Sequence, residues 1–249
     1  MLKNKRILIT GANGTIGNSI CKTFLKNNAN LVLFYNNNSD NIDELKRESN
    51  PLKQEIESFQ VDLSDINKIK KTMNEVLKTK SIDIFIHSVS LPLKIKKIVD
   101  CDWKEFEEHI NLQTRSFFEI SKAIIPGMKT KKNGKIVNIL TSSVIGSPPN
   151  MLSSYVTAKH SSLGLSKSLA VELGSYGINV NCVSPSLIDD SLTSFMPSKL
   201  KEILISQTPM KRLAKPLDVT NTVLFLCSNL SDFITGENIV ISGGQSTHQ

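Results

Sequence analysis

The chain has 249 residues with 30 Lys or Arg and 23 Asp or Glu, which gives a formal net charge of +7. Hydrophobic residues make up 39% and charged residues 21%, a composition that excludes a wholly disordered chain. No apolar run approaches the ~18 residues that a membrane helix needs, and the run before Gly11 is too short for a signal peptide. We therefore expect a cytoplasmic protein without a membrane partner.

The cysteines and the basic residues assign no further partner. Cys21, Cys101, Cys182 and Cys227 are far apart and lack metal-site spacing, so we interpret them as packing residues and expect no metal. Lysines occur in short clusters, but aromatic residues are only 6% and do not alternate with them. Nucleic-acid binding is therefore not predicted, whereas an acidic partner or substrate stays open.

Short β-rich runs alternate with helical patterns along the chain. The predicted strands are 6–10, 31–35, 56–62, 82–87, 135–140, 178–183 and 238–242. The predicted helices run from the first glycine-rich turn to about 26, then over about 43–48, 64–78, 103–128, 153–173 and 217–227. This alternation predicts an α/β fold, a doubly wound parallel sheet with helices on both faces. Functional residues are then expected just after each strand, at the carboxyl ends.

A glycine-rich turn separates the first strand from the first helix. Gly11, Gly14 and Gly17 follow Thr10 at three-residue spacing. Small residues let the backbone approach a pyrophosphate, and the helix N-terminus offers unpaired N–H groups. In this position the motif predicts a dinucleotide site. The alternative is a tight turn that binds nothing.

The end of the second strand bears on the choice of cofactor. It reads Tyr35, Asn36, Asn37, without the acidic residue that binds a free ribose in NAD. This absence favours NADP(H), although the basic residue that usually grips the 2′-phosphate is also missing, so NAD(H) stays possible. Asp62, after the third strand, is placed to contact the adenine; alternatively it begins the next helix.

A tyrosine and a lysine share one face of a predicted helix. Tyr155 and Lys159 are four residues apart. A phenol with a pKa near 10 is a poor acid at neutral pH, and a nearby ammonium group lowers that pKa. Thr141, Ser142 and Ser143 end the fifth strand, where a hydroxyl group would share a substrate carbonyl oxygen with Tyr155.

Together these motifs resemble the short-chain dehydrogenase/reductase family, and the 3-oxoacyl-carrier-protein reductases within it. The resemblance runs from Lys5 to Gly244 and is strongest in YVTAKHSSLGLSKSLAVELGSYGINVNCVSP and in FITGENIVISGG. It implies one Rossmann-like domain over 1–249, with a cofactor-binding half to about 140 and a catalytic half from about 141. It also implies a homotetramer formed through helices around 111–128 and 154–173.

The resemblance implies roles for individual residues. Tyr155 is the general acid, Lys159 binds the nicotinamide ribose and lowers the pKa of Tyr155, and Asn111 holds a water in a proton relay. Ser142 is the expected catalytic serine because it lies thirteen residues before Tyr155, with Ser143 as the alternative. The expected cofactor contacts are Gly11, Asn13, Gly14, Thr15, Ile16, Gly17, Tyr35, Asn36, Asn37, Asp62, Leu63, His87, Ser88, Tyr155, Lys159, Pro185 and Ile188.

The sequence departs from the family pattern at four places. Thr15 replaces a glycine, His87–Ser90 replaces an Asn-Asn-Ala-Gly motif, Ser186 replaces a glycine, and Asp190 replaces a threonine. His-Ser after the fourth strand resembles the enoyl-carrier-protein reductases, but those enzymes place six residues between tyrosine and lysine. The three residues between Tyr155 and Lys159 favour carbonyl reduction.

The expected function is therefore NAD(P)H-dependent reduction of a ketone to a secondary alcohol. A 3-oxoacyl thioester is the first expected substrate, with an acyl carrier protein as a possible partner. Lys131 and Lys132 match one basic position that contacts the acidic carrier, but Tyr176 stands at the other. The alternatives are a sugar or secondary-metabolite ketone or alcohol, and a non-catalytic nucleotide-binding scaffold.

Overall fold

The computed structural model describes residues 1–49, 54–188 and 196–246. Within this part of the chain, seven strands form one sheet in the order β3-β2-β1-β4-β5-β6-β7, and all neighbours are parallel. The strands are β1 (Arg6–Thr10), β2 (Asn30–Tyr35), β3 (Ile56–Gln60), β4 (Ile84–His87), β5 (Gly134–Ile139), β6 (Ile178–Pro185) and β7 (Asn238–Ile241). The predicted α/β fold is confirmed.

The helices cover both faces of the sheet. They are α1 (Thr15–Lys26), α2 (Asp40–Ser49), α3 (Ile66–Leu77), α4 (Trp103–Ile110), α5 (Ser116–Lys131), α6 (Ser153–Leu173), α7 (Ser198–Gln207) and α8 (Pro216–Leu226). One core packs α1, α2 and α8 against the sheet, and the other packs α3, α5 and α6 against the opposite face. Side chains alternate accordingly, since Ile7 and Ile9 enter the first core and Leu8 enters the second.

The helices differ from the prediction at two places. The helix predicted over 103–128 is interrupted by a π-helical turn at Asn111–Arg115, which separates α4 from α5. Inside this turn the carbonyl of Gln113 accepts hydrogen bonds from the side chains of His87 and Ser162. These partners lie on other elements, so the sequence pattern of the helix itself did not predict the interruption. Helix α7 was not predicted; none of its residues is buried.

The order of the strands determines where a ligand can enter. The chain builds the sheet outwards from β1 to β3 and then returns to add β4 beside β1. The connections after β1 and β4 therefore leave in opposite directions and open a crevice at the carboxyl ends of these strands. Among the described residues, no helix is both long and apolar enough to cross a membrane.

Candidate active site

A cavity of about 890 Å³ opens at the carboxyl ends of the strands. This volume is within the range of small-molecule pockets. Most of the predicted site residues line it, namely Gly11, Asn13, Gly14, Thr15, Ile16, Gly17, Tyr35, Asn36, Asn37, Leu63, Ser88, Ser142, Tyr155, Lys159, Pro185 and Ile188. Three predicted residues, Asp62, His87 and Asn111, are not part of the lining.

The glycine-rich turn is packed too closely for side chains. Gly11 has φ +65°, and a Cβ there would lie 1.9 Å from the carbonyl oxygen of Ser88. A Cβ on Gly17 would lie 2.1 Å from the carbonyl oxygen of Gly11. The turn therefore presents bare backbone to the pocket, because both strand β4 and helix α1 approach it within van der Waals contact.

Replacement of Gly11 by alanine tests this close approach. We expect Gly11→Ala to abolish cofactor binding and to lower the free energy of unfolding by more than about 2 kcal/mol, beyond the left-handed backbone cost alone. Gly146→Ala is the matched control, since Gly146 also has φ +65° but nothing lies within 4 Å of its Cβ position. Cofactor titration and thermal unfolding measure both effects; equal losses in the two variants would contradict the role of the contact with Ser88.

The start of α1 has unpaired polar groups that a phosphate or sugar would satisfy. The N-cap residue Gly14 has no side chain to cap the first N–H groups, and no acidic residue lies in the first turn. By contrast, the N-cap Asp65 of α3 accepts hydrogen bonds from Asn67 N and Lys68 N. In the preceding glycine-rich turn, Asn13 Oδ1 is buried and has no hydrogen-bond partner in the part of the chain that the structure describes. These features fit a bound dinucleotide.

The far end of the pocket is polar and uncharged. Tyr35 and Asn36–Asn38 line it at the end of β2. Asp62, predicted to contact adenine, is not among the lining residues, and its carboxylate accepts hydrogen bonds from Ser64 N at 2.9 Å and Ser64 Oγ at 2.6 Å. The next helix has Asp65, not Asp62, as its N-cap. The neighbouring Leu63 lines the pocket in its place.

His87 does not reach the pocket, which corrects its predicted cofactor contact. It is the last residue of β4 and its side chain points into the α3–α5–α6 face, where it packs 5.4 Å from the ring of Phe117. Only 2% of the residue is exposed. Burial, with a smaller contribution from the charge of Lys159, lowers the pKa of His87 to about 3, so the imidazole is neutral. Ser88, one residue later, faces the other way and lines the pocket.

Tyr155 and Lys159 lie one turn apart on α6 and face the pocket together. The ammonium nitrogen of Lys159 lies 6.0 Å from the centroid of the Tyr155 ring. Lys159 donates hydrogen bonds to the carbonyls of Ile139 at 2.8 Å and Val89 at 3.3 Å. Burial lowers the pKa of Lys159 to about 7. The lysine is therefore held in place by backbone and titrates near neutral pH.

The two candidate serines lie in a short 3₁₀ turn after β5 and both line the pocket. Ser143 is engaged by Thr141, whose hydroxyl lies 3.2 Å from Ser143 Oγ and accepts from Ser143 N. For Ser142, no side-chain hydrogen bond to another described residue is present. The structure thus leaves the Ser142 hydroxyl available to a ligand.

Asn111 begins the π-helical turn and is half-buried outside the pocket lining. Its Oδ1 lies 3.5 Å from Arg115 Nη1. Leu112, the next residue in this turn, lines the pocket. The irregular helix at Asn111 is thus a structural feature, while its part in a proton relay stays a prediction.

Several lining residues were not predicted, and most of them are apolar. They include Val89, Ser90, Leu91, Pro92, Leu93, Leu112, Leu204, Gln245 and Ser246. The rule that sites follow strand ends would have found 89–93, which come directly after β4. Leu204 lies on the unpredicted helix α7, and the C-terminal residues carry no local signal. Met196 also lines the pocket. Asp190, one of the four departures from the family pattern, lies outside the described residues.

The basic pair that matches a carrier-contacting position of the family lies away from the pocket of its own chain. Lys131 and Lys132 precede β5 and therefore lie at the amino end of the sheet, opposite the pocket. Lys131 forms an ion pair with Asp83 at 2.6 Å, just before β4. Tyr176, at the second position, packs under the ammonium group of Lys129 at 4.4 Å.

Comparisons with known proteins agree with this geometry. A family model described as enoyl-(acyl carrier protein) reductase matches residues 11–246. The 3-oxoacyl-[acyl-carrier-protein] reductase of Thermotoga maritima is 30% identical over 245 residues, which is 98% of this chain and 98% of that protein. The protein of the same name from Buchnera aphidicola subsp. Schizaphis graminum is 33% identical with the same coverage.

Solved structures share the fold at lower identity. Levodione reductase superposes with a TM-score of 0.91 at 24% identity, covering 98% of each chain. NAD⁺-bound xylitol dehydrogenase superposes with a TM-score of 0.89 at 23% identity, covering 98% of this chain and 99% of that one. With the matched family model and the full-length relatives, the chain belongs to the short-chain dehydrogenase/reductase family, oxidoreductases that bind a nicotinamide cofactor.

Proposed function

We propose that this protein reduces a ketone to a secondary alcohol, with a 3-oxoacyl thioester as the substrate class. The observation that carries the proposal is that Tyr155 and Lys159 face the same pocket as the bare-backbone glycine turn. The relatives at 30% and 33% identity are named for 3-oxoacyl substrates, which supports the thioester. The three-residue spacing within the Tyr155–Lys159 pair supports carbonyl reduction over enoyl reduction.

The side chains divide the work of this reduction. The glycine turn and Lys159 would hold a reduced nicotinamide cofactor, whose chemistry would be to supply a hydride for the carbonyl carbon. Ser142 donates a hydrogen bond to the carbonyl oxygen, and Tyr155 transfers its phenolic proton to that oxygen as the alkoxide forms. Lys159 in its charged form stabilises the resulting phenolate. Lys159, with Asn111 through a water, then returns a proton to Tyr155.

Alanine substitutions distinguish the two serines. We expect Ser142→Ala to lower kcat by about 10²-fold, as for the loss of one oxyanion donor. Ser143→Ala is the matched control and should lower kcat by less than about tenfold, because Ser143 Oγ accepts a hydrogen bond from the Thr141 hydroxyl, which holds this side chain against Thr141. Steady-state kinetics at saturating cofactor measures both, and a larger loss in Ser143→Ala would assign the role to Ser143 instead.

We propose NADP(H) as the preferred cofactor. None of the described residues that line the pocket is Asp or Glu, so no carboxylate would repel a 2′-phosphate. Asn36 and Asn37 offer amide groups there, but Lys159 is the one cation among those lining residues. A modest preference is therefore expected. Side-by-side fluorescence titration with NADPH and NADH measures it, and tighter NADH binding would reverse the assignment.

The charges and apolar side chains at the mouth of the pocket favour an acidic carrier protein as the partner. Leu204 of α7 and Met196 line the pocket, and residues 196–217 contain five basic residues and one acidic residue. Arg212 is paired with Asp218 in this region. Exposed apolar side chains, Leu200, Ile203 and Met210, lie among these charges. A basic surface with apolar side chains at the entrance is complementary to an acidic protein that delivers an acyl chain.

A substrate panel tests the proposed function. NADPH oxidation is followed with acetoacetyl thioester on a carrier protein and on a small thiol, with a sugar ketone, and with a crotonyl thioester. Preference for the carrier-bound ketone is the expected result. Turnover of the crotonyl compound alone would indicate enoyl reduction, and turnover of the sugar ketone alone would indicate a small-ketone enzyme. Failure to bind either nucleotide would indicate a non-catalytic scaffold.

We further propose a homotetramer that associates through α5 and α6. Phe118 on α5 is 43% exposed and Val171 on α6 is 87% exposed, so these helices present apolar side chains to solvent in the single chain. Light scattering that reports a monomer would refute this assembly.

A further inference from the structure

A buried histidine stands between the glycine turn and the π-helical turn, and no role in the reaction has been assigned to it. His87 occupies the first position of the motif in which the family has asparagine, and its side chain makes polar contacts on both sides. It lies in the floor beneath the pocket, where it touches neither the lining nor solvent.

The hydrogen-bond partners of His87 determine the tautomer of its neutral ring. Its Nε2 lies 3.1 Å from the carbonyl oxygen of Gln113. A carbonyl oxygen only accepts, so the neutral ring carries its proton on Nε2 and leaves Nδ1 as an acceptor. Thr10 Oγ1, 2.9 Å from Nδ1, must then donate its hydroxyl proton to the ring. The same Thr10 oxygen accepts from Ser88 N at 3.3 Å.

These bonds join the floor of the glycine turn to the π-helical turn. Thr10 immediately precedes Gly11, and the Ser88 amide that it holds belongs to the residue whose carbonyl contacts Gly11. On the other side, the Gln113 carbonyl also accepts from Ser162 of the catalytic helix α6, at 3.1 Å. One imidazole thus connects β1, β4, the π-helical turn and, through Gln113, α6.

The connection continues to the immediate surroundings of Tyr155. The side-chain amide of Gln113 donates from Nε2 to His109 Nδ1 at 2.9 Å. The ring of His109 lies edge-on to the Tyr155 ring with centroids 6.1 Å apart. Any shift of Gln113 would therefore be transmitted to the wall against which Tyr155 packs.

We propose that His87 is a positioning residue whose neutral imidazole ties the glycine turn to the π-helical turn and so holds Leu112, Asn111 and α6 in register with the cofactor site. His87 touches neither substrate nor cofactor, and it acts through Thr10 and Gln113. The consequence for turnover rests on the proposed ketone reduction, whereas the tie between the two turns does not.

The main test replaces the imidazole by an apolar side chain of similar size. In His87→Leu we expect faster amide hydrogen exchange in a peptide spanning 111–116. We also expect kcat lower by about tenfold or more, because small misplacements of reacting groups are costly. His87→Asn keeps a donor and an acceptor in one side chain and should restore kcat to within about threefold of the natural protein.

Phe85→Leu is the control for general loss of packing. Phe85 lies on the same face of β4, is fully buried, and packs against Phe117, which His87 also contacts. It should lower the melting temperature without the selective exchange or the loss of kcat. If Phe85→Leu and His87→Leu change exchange and kcat equally at matched loss of melting temperature, the proposal is overturned.

Thr10→Val tests the tie from its other end and serves if His87→Leu does not fold. Thr10 is fully buried and forms no hydrogen bond with residues 111–115 in the described part of the chain, so faster exchange in that turn would be transmitted through His87. Unchanged exchange at 111–116 would overturn the tie. If the natural protein reduces no ketone, the proposed function fails, and the exchange measurements alone decide the role of His87.

Discussion

Replacing Tyr155 by phenylalanine is expected to lower kcat by about 10³-fold or more, because the general acid is removed while the ring is kept. The Kd for NADPH should stay within about threefold of its original value, since the glycine turn and the Asn-rich end of the pocket are untouched. Steady-state and single-turnover kinetics, with fluorescence titration of the cofactor, measure the two quantities on the same preparation.

Tyr176→Phe is the control for this substitution. Tyr176 is 40% exposed and packs under Lys129, far from the pocket lining. This substitution also removes a phenolic hydroxyl group, but at a position away from the pocket, so no change in kcat is expected. If Tyr155→Phe retained most of its rate, the phenol would not be the proton donor, and the proposed mechanism would be wrong.

Replacing Lys159 by methionine is expected to lower kcat by about 10²-fold, because the phenol of Tyr155 loses the charge that lowers its pKa. Lys159 is 4% exposed, and among the described residues no carboxylate forms an ion pair with it. The charge is therefore held in the protein at a cost of desolvation. This cost makes both the activity and the stability depend on pH in a defined direction.

Burial lowers the pKa of Lys159 from 10.5 to about 7. Between these values the unfolded chain binds a proton at this position that the folded chain has released. The free energy of unfolding therefore rises with pH across this window, by about 1 kcal/mol per pH unit from this group. Urea unfolding at about pH 7 and about pH 9 should show that slope in the natural protein, and a smaller slope in Lys159→Met.

The same titration predicts the pH profile of the reaction. kcat/KM for NADPH reports ionisations of the unliganded enzyme and should fall as pH rises through about 7, when Lys159 loses its charge. Lys167→Met is the matched control, since Lys167 lies on the same helix but is exposed. A profile that is flat between about pH 6 and about pH 9 would contradict the requirement for a charged Lys159.

Local patterns in the sequence were sufficient for most of the fold and for the outline of the site. Alternating apolar runs and helical periods predicted a parallel sheet, because strands buried on both faces and helices buried on one have different periods. The glycine turn was predicted because the three-residue spacing of Gly11, Gly14 and Gly17 between a strand and a helix is a local pattern, whereas the contact of Gly11 with Ser88 is long-range. Tyr155 and Lys159 share a face because a regular helix alone determines that spacing.

The remaining features depend on contacts between residues distant in sequence. His87 points away from the pocket because Thr10 and Gln113, 77 and 26 residues away, satisfy its two ring nitrogens. The π-helical turn exists where Gln113 meets β4 and α6. The position of Lys131 and Lys132 at the amino end of the sheet was also not predictable, because a motif match does not state at which edge of the sheet a residue lies. The choice between Ser142 and Ser143 likewise depends on a hydroxyl contact in space. The sequence by itself determined the motifs of a nicotinamide-dependent oxidoreductase. The tertiary structure decided which side chains face the pocket, because long-range hydrogen bonds orient buried polar groups.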